Sequence, residues 1–256
     1  MLPASSPRVE LVLAPNAGPF TLTGTNTWLV SSARGLVVID PGPLIPDHQE
    51  AIFRSVGARG VAAVLVTHTH PDHAPLANPI ARHYEVPAYG WEPGPEFDPD
   101  VRVRDGQLLD FGEPWEVIHT PGHSSDHICL RVGSTLFTGD HVVGGSSVMV
   151  EEMSDYLASL RKIEALPLER LYPGHGAEID RPGPVISWYL AHRLQREAEI
   201  LAAISSGARD AGEIVEIVYR DVDPALHPLA RQSVLAHLQK LRREGRLDQA
   251  FDVGGR

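Results

Sequence analysis

Cysteine is nearly absent from this 256-residue sequence: Cys129 is its single example, so no disulfide can form within the chain. That usage is typical of a reducing compartment. Also missing is an apolar run of the roughly 18 residues that a membrane-spanning helix needs. The opening residues, MLPASSPRVELVLAPN, contain neither the basic and apolar regions of a signal peptide nor an arginine-rich transit sequence. We therefore expect a cytoplasmic protein that does not bind membranes.

Positive charge is scarce as well. The chain has 22 lysines and arginines against 33 acidic residues, a net charge of −11. From Arg193 onward the two signs balance, so the first 192 residues carry the whole excess. Gripping a phosphate backbone takes several cations at once. The composition therefore favours solubility, and we expect no binding to duplex DNA.

Hydrophobic residues make up 43% of the chain, enough for one sizeable core with an appendage or for two domains. Short apolar runs predict strands within residues 8–40 and 107–140, over VAAVLVT (61–67) and at RLYP (170–173). Periodicity predicts helices over 47–56, from about Pro75 to YEVPAYG, over 154–166 and over 184–205, with Asp47 and Ser154 as N-caps. Strands then helices, twice over, indicate two sheets with helices outside.

The C-terminal part has its own pattern. Apolar-periodic segments near 211–219 and 229–244 precede REGRL, which is the order of helix, helix, glycine turn and short strand in a winged-helix unit. A helical cap on the first domain is the alternative interpretation. We predict a catalytic domain over residues 1–192 and a winged-helix-like domain over 193–256. We also expect the tail to form one wall of the substrate cleft.

The most informative string is VTHTHPDHAP, residues 66–75, which comes directly after a buried strand. Three later strings, TPGHSSDH, LFTGDH and LYPGHG, share one order of apolar strand, glycine-containing turn and polar side chain. Loops at one edge of a sheet can converge, held by the scaffold below. The candidate ligands are His68, His70, Asp72, His73, His123, Asp140 and His175.

Imidazole nitrogen and carboxylate oxygen are ligands of zinc, and a catalytic ion keeps one position open for water. Seven ligands are too many for one such ion, and they suit two ions with one bridging carboxylate. Two ions can ionise a shared water, giving metal-bound hydroxide near neutral pH. We therefore predict two zinc ions, with iron or manganese as alternatives because the set is entirely nitrogen and oxygen.

In their order, THTHPDH, TPGH, GD and YPGHG resemble the metallo-β-lactamase-fold hydrolase superfamily over residues 15 to about 190. The resemblance implies an α+β fold, an αββα sandwich with metals at one sheet edge. It implies that Asp40, in VIDPG, supports the histidine loop, and that Asp72 and Asp140 are catalytic. Carried over, His68, His70 and His123 would hold the first metal, Asp72, His73 and His175 the second, and Asp140 would bridge them.

Within the superfamily, GTNTWLV, PGHSSDH and YLAHRLQRE are similar to the β-lactamase-like protein 2 group. That similarity implies an acyl-carrier or other small-molecule thioester, or single-stranded RNA, as substrate. The sequence lacks the ligand cysteine of true β-lactamases, and His70 stands where flavodiiron proteins place a glutamate. No clear C-terminal Arg/Lys cluster matches the glutathione site of glyoxalase-type thioesterases.

The predicted function is a binuclear metal-dependent hydrolase that uses metal-bound hydroxide on an ester, thioester or phosphodiester. A single-strand-specific endoribonuclease, a mono-iron sulfur dioxygenase and a non-catalytic nucleic-acid-binding regulator are the alternatives. Several further side chains have two interpretations each. His127 either contacts substrate or, as we favour, bonds to backbone, and Asn26 either supports the site or closes a turn. His119 and His141 are expected to pack beside the ligands or to support them. His192 either lies on a helix surface or faces substrate, and Arg242 and Arg243 either lie at a solvated helix end or contact phosphate.

Overall fold

The computed structural model describes residues 7–248 and 251. Its contacts divide the chain into two compact units. The first holds the described residues up to Thr120, together with Asp126–Ser146 and Leu166–Pro182. The second holds Pro121–Ser125, Ser147–Ala165 and the described residues from Gly183 onward. A boundary of independent folding at residue 193 stays a prediction.

The first unit opens with a six-stranded sheet. Its strands follow chain order and are β1 (Val9–Leu13), β2 (Asn26–Ser32), β3 (Gly35–Ile39), β4 (Val61–Leu65), β5 (Ala88–Gly90) and β6 (Val101–Arg102). The pairs from β3 to β6 are parallel, because α1 (Pro46–Val56) and α2 (Ala77–Tyr84) make two of the crossovers. One sheet face, including Val38 and Val64, packs against Ile52 of α1 and Ile80 of α2.

A second sheet completes this unit. Its order is β11 (Arg170–Pro173), β10 (Thr135–Gly139), β9 (Ile128–Val132), β8 (Pro114–His119) and β7 (Leu108–Asp110). The inner faces of the two sheets share one core, in which Trp115 stacks on Phe137 and Trp28 meets Tyr172 edge to face. Two packed sheets with helices on an outer face confirm the predicted α+β class.

The ends of both sheets meet at one edge, and Asn26 joins them there. Asn26 lies at the start of β2, and its side-chain amide donates to the carbonyl of Pro173 (3.0 Å), the last residue of β11, and to that of Gly176 (2.9 Å) in the following loop. The Trp28 indole donates to the same Pro173 carbonyl at 2.9 Å. These bonds hold the loops after the first sheet beside the loops after the second, so the supporting interpretation of Asn26 agrees with the structure.

The second unit is helical and contains α3 (Met153–Glu164), α5 (Ala211–Val218), α6 (His227–Arg243) and nearly all of α4 (Pro182–Ser205). The end of α4 forms a small core with α5 and α6. In that unit the Glu197 carboxylate is buried and binds Lys240 Nζ at 2.7 Å and Arg246 Nη1 at 2.6 Å. Between residues 7 and 248, no helix combines the length and the apolar character needed to cross a membrane.

Three local predictions were wrong. Asp47 was expected to cap α1, but the N-cap position is occupied by Ile45, which makes no side-chain cap bond. Glu152 caps α3, and its carboxylate accepts from the Ser154 backbone N–H, so Ser154 is not the cap. A carboxylate in that position satisfies a free N–H of the first turn. The expected strand after α6 does not form over residues 244–248, and residues 249, 250 and 252–256 lie outside the described part of the chain.

Candidate metal centre

The first group of predicted ligands comes directly after β4. His68 and His70 stand on the loop after this strand, and His68 Nε2 lies 3.0 Å from His70 Nδ1. His68 is buried, while His70 is half exposed. Two ring nitrogens that face each other at this distance are arranged as a pair of ligands would be.

A second group surrounds the facing Nε2 atoms of His73 and His175, which are 3.3 Å apart. Asp72 Oδ2 lies 3.4 Å from His73 Nε2 and 3.2 Å from His175 Nε2. Asp140 comes directly after β10, and its two oxygens lie 3.5 Å from His73 Nε2 and 3.3 Å from His175 Nε2. Asp140 also groups with His68 and His73, with donor atoms within 4.8 Å of one another, so it is shared between both groups.

The seventh predicted ligand, His123, belongs to the second unit. It stands on the turn 121–125, which connects the ends of β8 and β9, and the Thr120 N–H closes the base of this turn on the His127 carbonyl at 2.9 Å. His123 Nδ1 lies 2.8 Å from the Met149 carbonyl. Donation to that carbonyl would place the proton on Nδ1, as the predicted ligand role of Nε2 requires. The structure thus brings six of the predicted ligands together in the first unit, and the role of His123 stays a prediction.

Asp40 orients two of these imidazoles from behind. Its carboxylate accepts from the Thr67 N–H (2.8 Å), from Thr67 Oγ1 (2.7 Å) and from His73 Nδ1 (3.0 Å). Because the Thr67 hydroxyl donates to Asp40, it accepts from His68 Nδ1, 3.0 Å away. Both histidines therefore carry a proton on Nδ1 and direct Nε2 into the site, which is how such partners prepare ligands. Thr67 was not predicted from the sequence.

Two glycines make room for the ligands. A Cβ at Gly174 would lie 2.6 Å from Asp140 Oδ1 and 2.7 Å from His73 Cε1. Gly139 has φ +46°, and a Cβ there would lie 2.6 Å from Thr67 Oγ1. These close approaches explain why glycine precedes both Asp140 and His175 in the sequence.

His127 contributes to the backbone of the site. Its Nδ1 lies 2.9 Å from Thr120 Oγ1, and its Nε2 accepts the backbone N–H of Asp140 at 3.2 Å. This is the backbone-bonded role that the sequence favoured. His119 stacks on Trp91, and His192 stacks on Trp188 within α4.

The electrostatics of the centre fit divalent cations. Burial opposes a charged imidazole, yet Asp140 and Asp72 raise the pKa of His175 to about 9. They also raise the pKa of His73 well above its usual range despite its burial. Burial would raise the pKa of Asp72, but His73 and His175 hold it well below normal. Without metal, protons on these histidines balance the negative charge of the carboxylates. Bound cations would balance the same charge, so the residues fit metal ions.

Behind Asp40 lies a further pair that the sequence did not indicate. Asp40 has φ +47°, a left-handed conformation that costs a non-glycine residue roughly 1–2 kcal/mol. Thr27 Oγ1 donates to the Asp40 carbonyl at 2.8 Å, and His48 Nε2 lies 3.0 Å from the same hydroxyl. His48 is buried on α1. Thr27 and His48 thus fix the strained turn that aims the Asp40 carboxylate.

We expect Thr27→Val to lower metal affinity by about 10- to 100-fold, because the isosteric change removes the hydroxyl that holds Asp40. Stability should fall by about 1–3 kcal/mol, since buried polar groups lose their partner. Thr27→Ser keeps the hydroxyl and should retain most of both. Competition with a chromogenic chelator measures the affinities. A Val variant that binds metal as tightly as the parent protein would show that Thr27 has no such role.

Two parts of the chain match known protein families. Residues 20–175 match the Metallo-beta-lactamase superfamily, and residues 211–255 match the Beta-lactamase associated winged helix domain. The chain therefore belongs to the metallo-beta-lactamase superfamily and is a metal-dependent hydrolase. The α+β fold with a C-terminal winged-helix domain, as the sequence predicted, is confirmed.

Particular relatives cover almost the whole chain. A beta-lactamase-like protein 2 homologue of Drosophila melanogaster is 31% identical over 92% of this chain and 88% of its own. An atrochrysone carboxyl ACP thioesterase of Cryptosporiopsis sp. is 32% identical over 97% of this chain and 83% of its own. A crystal structure of a beta-lactamase domain protein from Burkholderia ambifaria has a TM-score of 0.81 and 26% identity, covering 94% of this chain and 87% of that one. The expected similarity to the β-lactamase-like protein 2 group is confirmed.

Proposed function

We propose that this protein is a binuclear hydrolase of acyl thioesters, with an acyl carrier or another small thiol as the leaving group. The observation that carries this proposal is the position of Asp140. Its oxygens lie 3.3–3.5 Å from the Nε2 atoms of His175 and His73, and it also groups with His68 of the first ligand pair, with donor atoms within 4.8 Å of one another. One carboxylate shared between ligand groups is what two neighbouring ions require.

In this proposal the two ions are zinc, with iron or manganese as the alternatives that the same nitrogen and oxygen ligands accept. When bound, such ions lower the pKa of water and polarise an acyl oxygen. The catalytic residues are Asp72 and Asp140. The first ion would be held by His68, His70 and His123, the second by Asp72, His73 and His175, and both by Asp140.

The chain's own groups prepare this chemistry. Asp40 and Thr67 fix the ring orientations of His73 and His68, so their Nε2 lone pairs point into the site. Asp72 stays ionised because its pKa is held well below normal. A carboxylate that binds protons this weakly remains available to bind a cation. In the overall reaction, water adds its oxygen to the acyl carbon and the C–S bond breaks. A carboxylic acid and a thiol result.

Charge separates the candidate substrates. Five loops at this edge of the first unit contain no lysine or arginine. They are residues 14–25, 40–45, 66–76, 91–100 and 140–146. The loops 103–107 and 174–181 contain one each, Arg104 and Arg181. Binding a phosphodiester chain depends on several such cations. The scarcity favours an acyl substrate over RNA, as does the similarity to a protein named as an ACP thioesterase.

The C-terminal arginines considered for RNA contact are already engaged. Arg243 pairs with the Glu152 carboxylate, and Arg242 donates to the Phe251 carbonyl. Each would have to leave a partner to bind phosphate. Because exposed pairs of this kind are weak, the scarcity of lysine and arginine at the metal edge is the stronger argument against RNA and against a nucleic-acid-binding regulator.

A side-by-side screen of the metal-loaded protein tests the proposal. We expect thioesters to be hydrolysed at least about tenfold faster than bis-p-nitrophenyl phosphate or single-stranded RNA, and duplex DNA to bind weakly at physiological salt. Cleavage of RNA that is lost in Arg242→Ala/Arg243→Ala would favour the ribonuclease instead. Oxygen consumption with a persulfide and one iron per chain would favour the sulfur dioxygenase.

A further inference from the structure

An aromatic pair stands at the metal edge of the first unit. Trp91 comes directly after β5, and His119 ends β8. Their rings are stacked, with centroids 3.9 Å apart and an interplanar angle of 5°. Both side chains are half buried, so the pair keeps part of its surface in solvent.

Strand direction puts this pair beside the ligands. Strand β5 runs parallel to β4, so Trp91 leaves the sheet at the edge where His68 and His70 leave it. The loop that carries Trp91 is pressed against the ligand loop: a Cβ at Gly94 would lie 2.5 Å from the Cβ of Thr69, which stands between these histidines. The Thr69 N–H is itself fixed by Asp126 Oδ2 at 2.8 Å.

The pair is held rigidly. Phe97 closes the loop of Trp91 beneath Gly90, where an added Cβ would lie 2.4 Å from the Phe97 ring. The backbone N–H of His119 donates to Asp105 Oδ1 at 2.8 Å. Trp91 also packs against the core between the sheets. A tryptophan that served only the core would be buried. Trp91 instead keeps part of its stacked ring exposed at the metal edge.

We propose that the Trp91–His119 stack is the acyl-binding wall of the site and selects an uncharged aromatic or other apolar acyl group. This inference rests on the proposed function and adds the substrate class. Aromatic faces gain dispersion and quadrupole contacts with flat apolar groups. Phe20 and Leu44, on neighbouring loops of the same edge, are also exposed.

An aromatic wall also disfavours an anionic acyl group. Near Trp91 stand Glu92 and Glu96 of the loop 91–100 and Arg104 of the loop after β6, whereas Asp100 accepts the Ala88 N–H at the other end of β5. A second carboxylate on the acyl chain would lose part of its hydration against the aromatic faces. The wall therefore discriminates by shape and by polarity.

The test compares benzoyl and acetyl thioesters of N-acetylcysteamine, with thiol release followed spectrophotometrically. In Trp91→Ala the ratio of kcat/KM for benzoyl over acetyl should fall about tenfold, mainly through KM. Trp91→Phe should retain most of the ratio because it keeps an aromatic face. Trp188→Ala, the same change at an exposed tryptophan of α4, should leave the ratio unchanged, and metal content is measured for every variant.

A binding measurement separates this inference from the proposed function. Calorimetric binding of 2-naphthoate to the metal-loaded protein should weaken about tenfold in Trp91→Ala and little in Trp91→Phe. Weakened binding in a protein that hydrolyses neither thioester would keep the wall and overturn the thioesterase proposal. Thioester hydrolysis with an unchanged ratio and unchanged naphthoate binding would overturn the wall and keep the thioesterase proposal. Absence of both hydrolysis and binding would overturn both.

Discussion

Asp140→Ala is expected to abolish hydrolysis and to release at least part of the bound metal. The two carboxylate oxygens of Asp140 face His73 Nε2 and His175 Nε2, and the residue groups with His68 as well. Removing the shared anion leaves both ligand groups without the charge that positions two cations. A loss of several kcal/mol of transition-state stabilisation corresponds to a rate decrease on the order of a thousandfold.

The matched control is Asp110→Ala. Asp110 also ends a strand, but it is exposed and pairs with Arg34, a surface ion pair of little energetic weight. This variant should keep its metal and its activity. Metal content is measured by mass spectrometry beside the rate. An Asp140→Ala protein that stays active with two bound ions would refute the shared-ligand role.

Metal-free and metal-loaded protein are expected to respond to pH in opposite directions. In the metal-free protein, burial lowers the pKa of His175, but Asp140 and Asp72 raise it from 6.5 to about 9. A raised pKa contributes stability that is complete below about pH 6.5 and is lost as pH rises through 9. The melting temperature of the metal-free protein should therefore fall by several degrees over this range.

The metal-loaded protein should become more stable over the same range, because the ligand nitrogens must lose their protons before they bind metal. Its activity should rise towards a plateau as bound water ionises. Thermal unfolding of both forms from pH 6 to 9 checks this. In Asp72→Asn the melting temperature of the metal-free form should fall less with pH, since His175 has lost one of its two carboxylate partners. Parallel pH profiles for the two forms would contradict this assignment of charges.

Much of the candidate site could be predicted from local sequence. The strings around His68, Asp140 and His175 each place a polar side chain on a turn after an apolar strand, and strand ends at one edge bring side chains together. Glycines 139 and 174 are also readable, because they precede ligands that need the space of a missing Cβ. The α+β fold follows from the same strand and helix pattern.

Contacts between distant segments were not predictable in this way. The Thr27 hydroxyl, on β2, contacts the Asp40 carbonyl and His48 Nε2. No local sequence pattern predicts these contacts. Trp91 and His119 stack because β5 and β8 end at the same edge of different sheets. The cap of α3 was misplaced by two residues because a glutamate, unusual at this position, accepts the Ser154 N–H.

The most direct test of the binuclear thioesterase is to count metal ions and turnover on the same sample. Protein purified without chelators is titrated with zinc after metal removal, and thioester hydrolysis is followed at each addition. We predict that activity reaches its maximum at two ions per chain and that Asp140→Ala never reaches it. Full activity with one ion per chain, unchanged by a second, would contradict the binuclear centre.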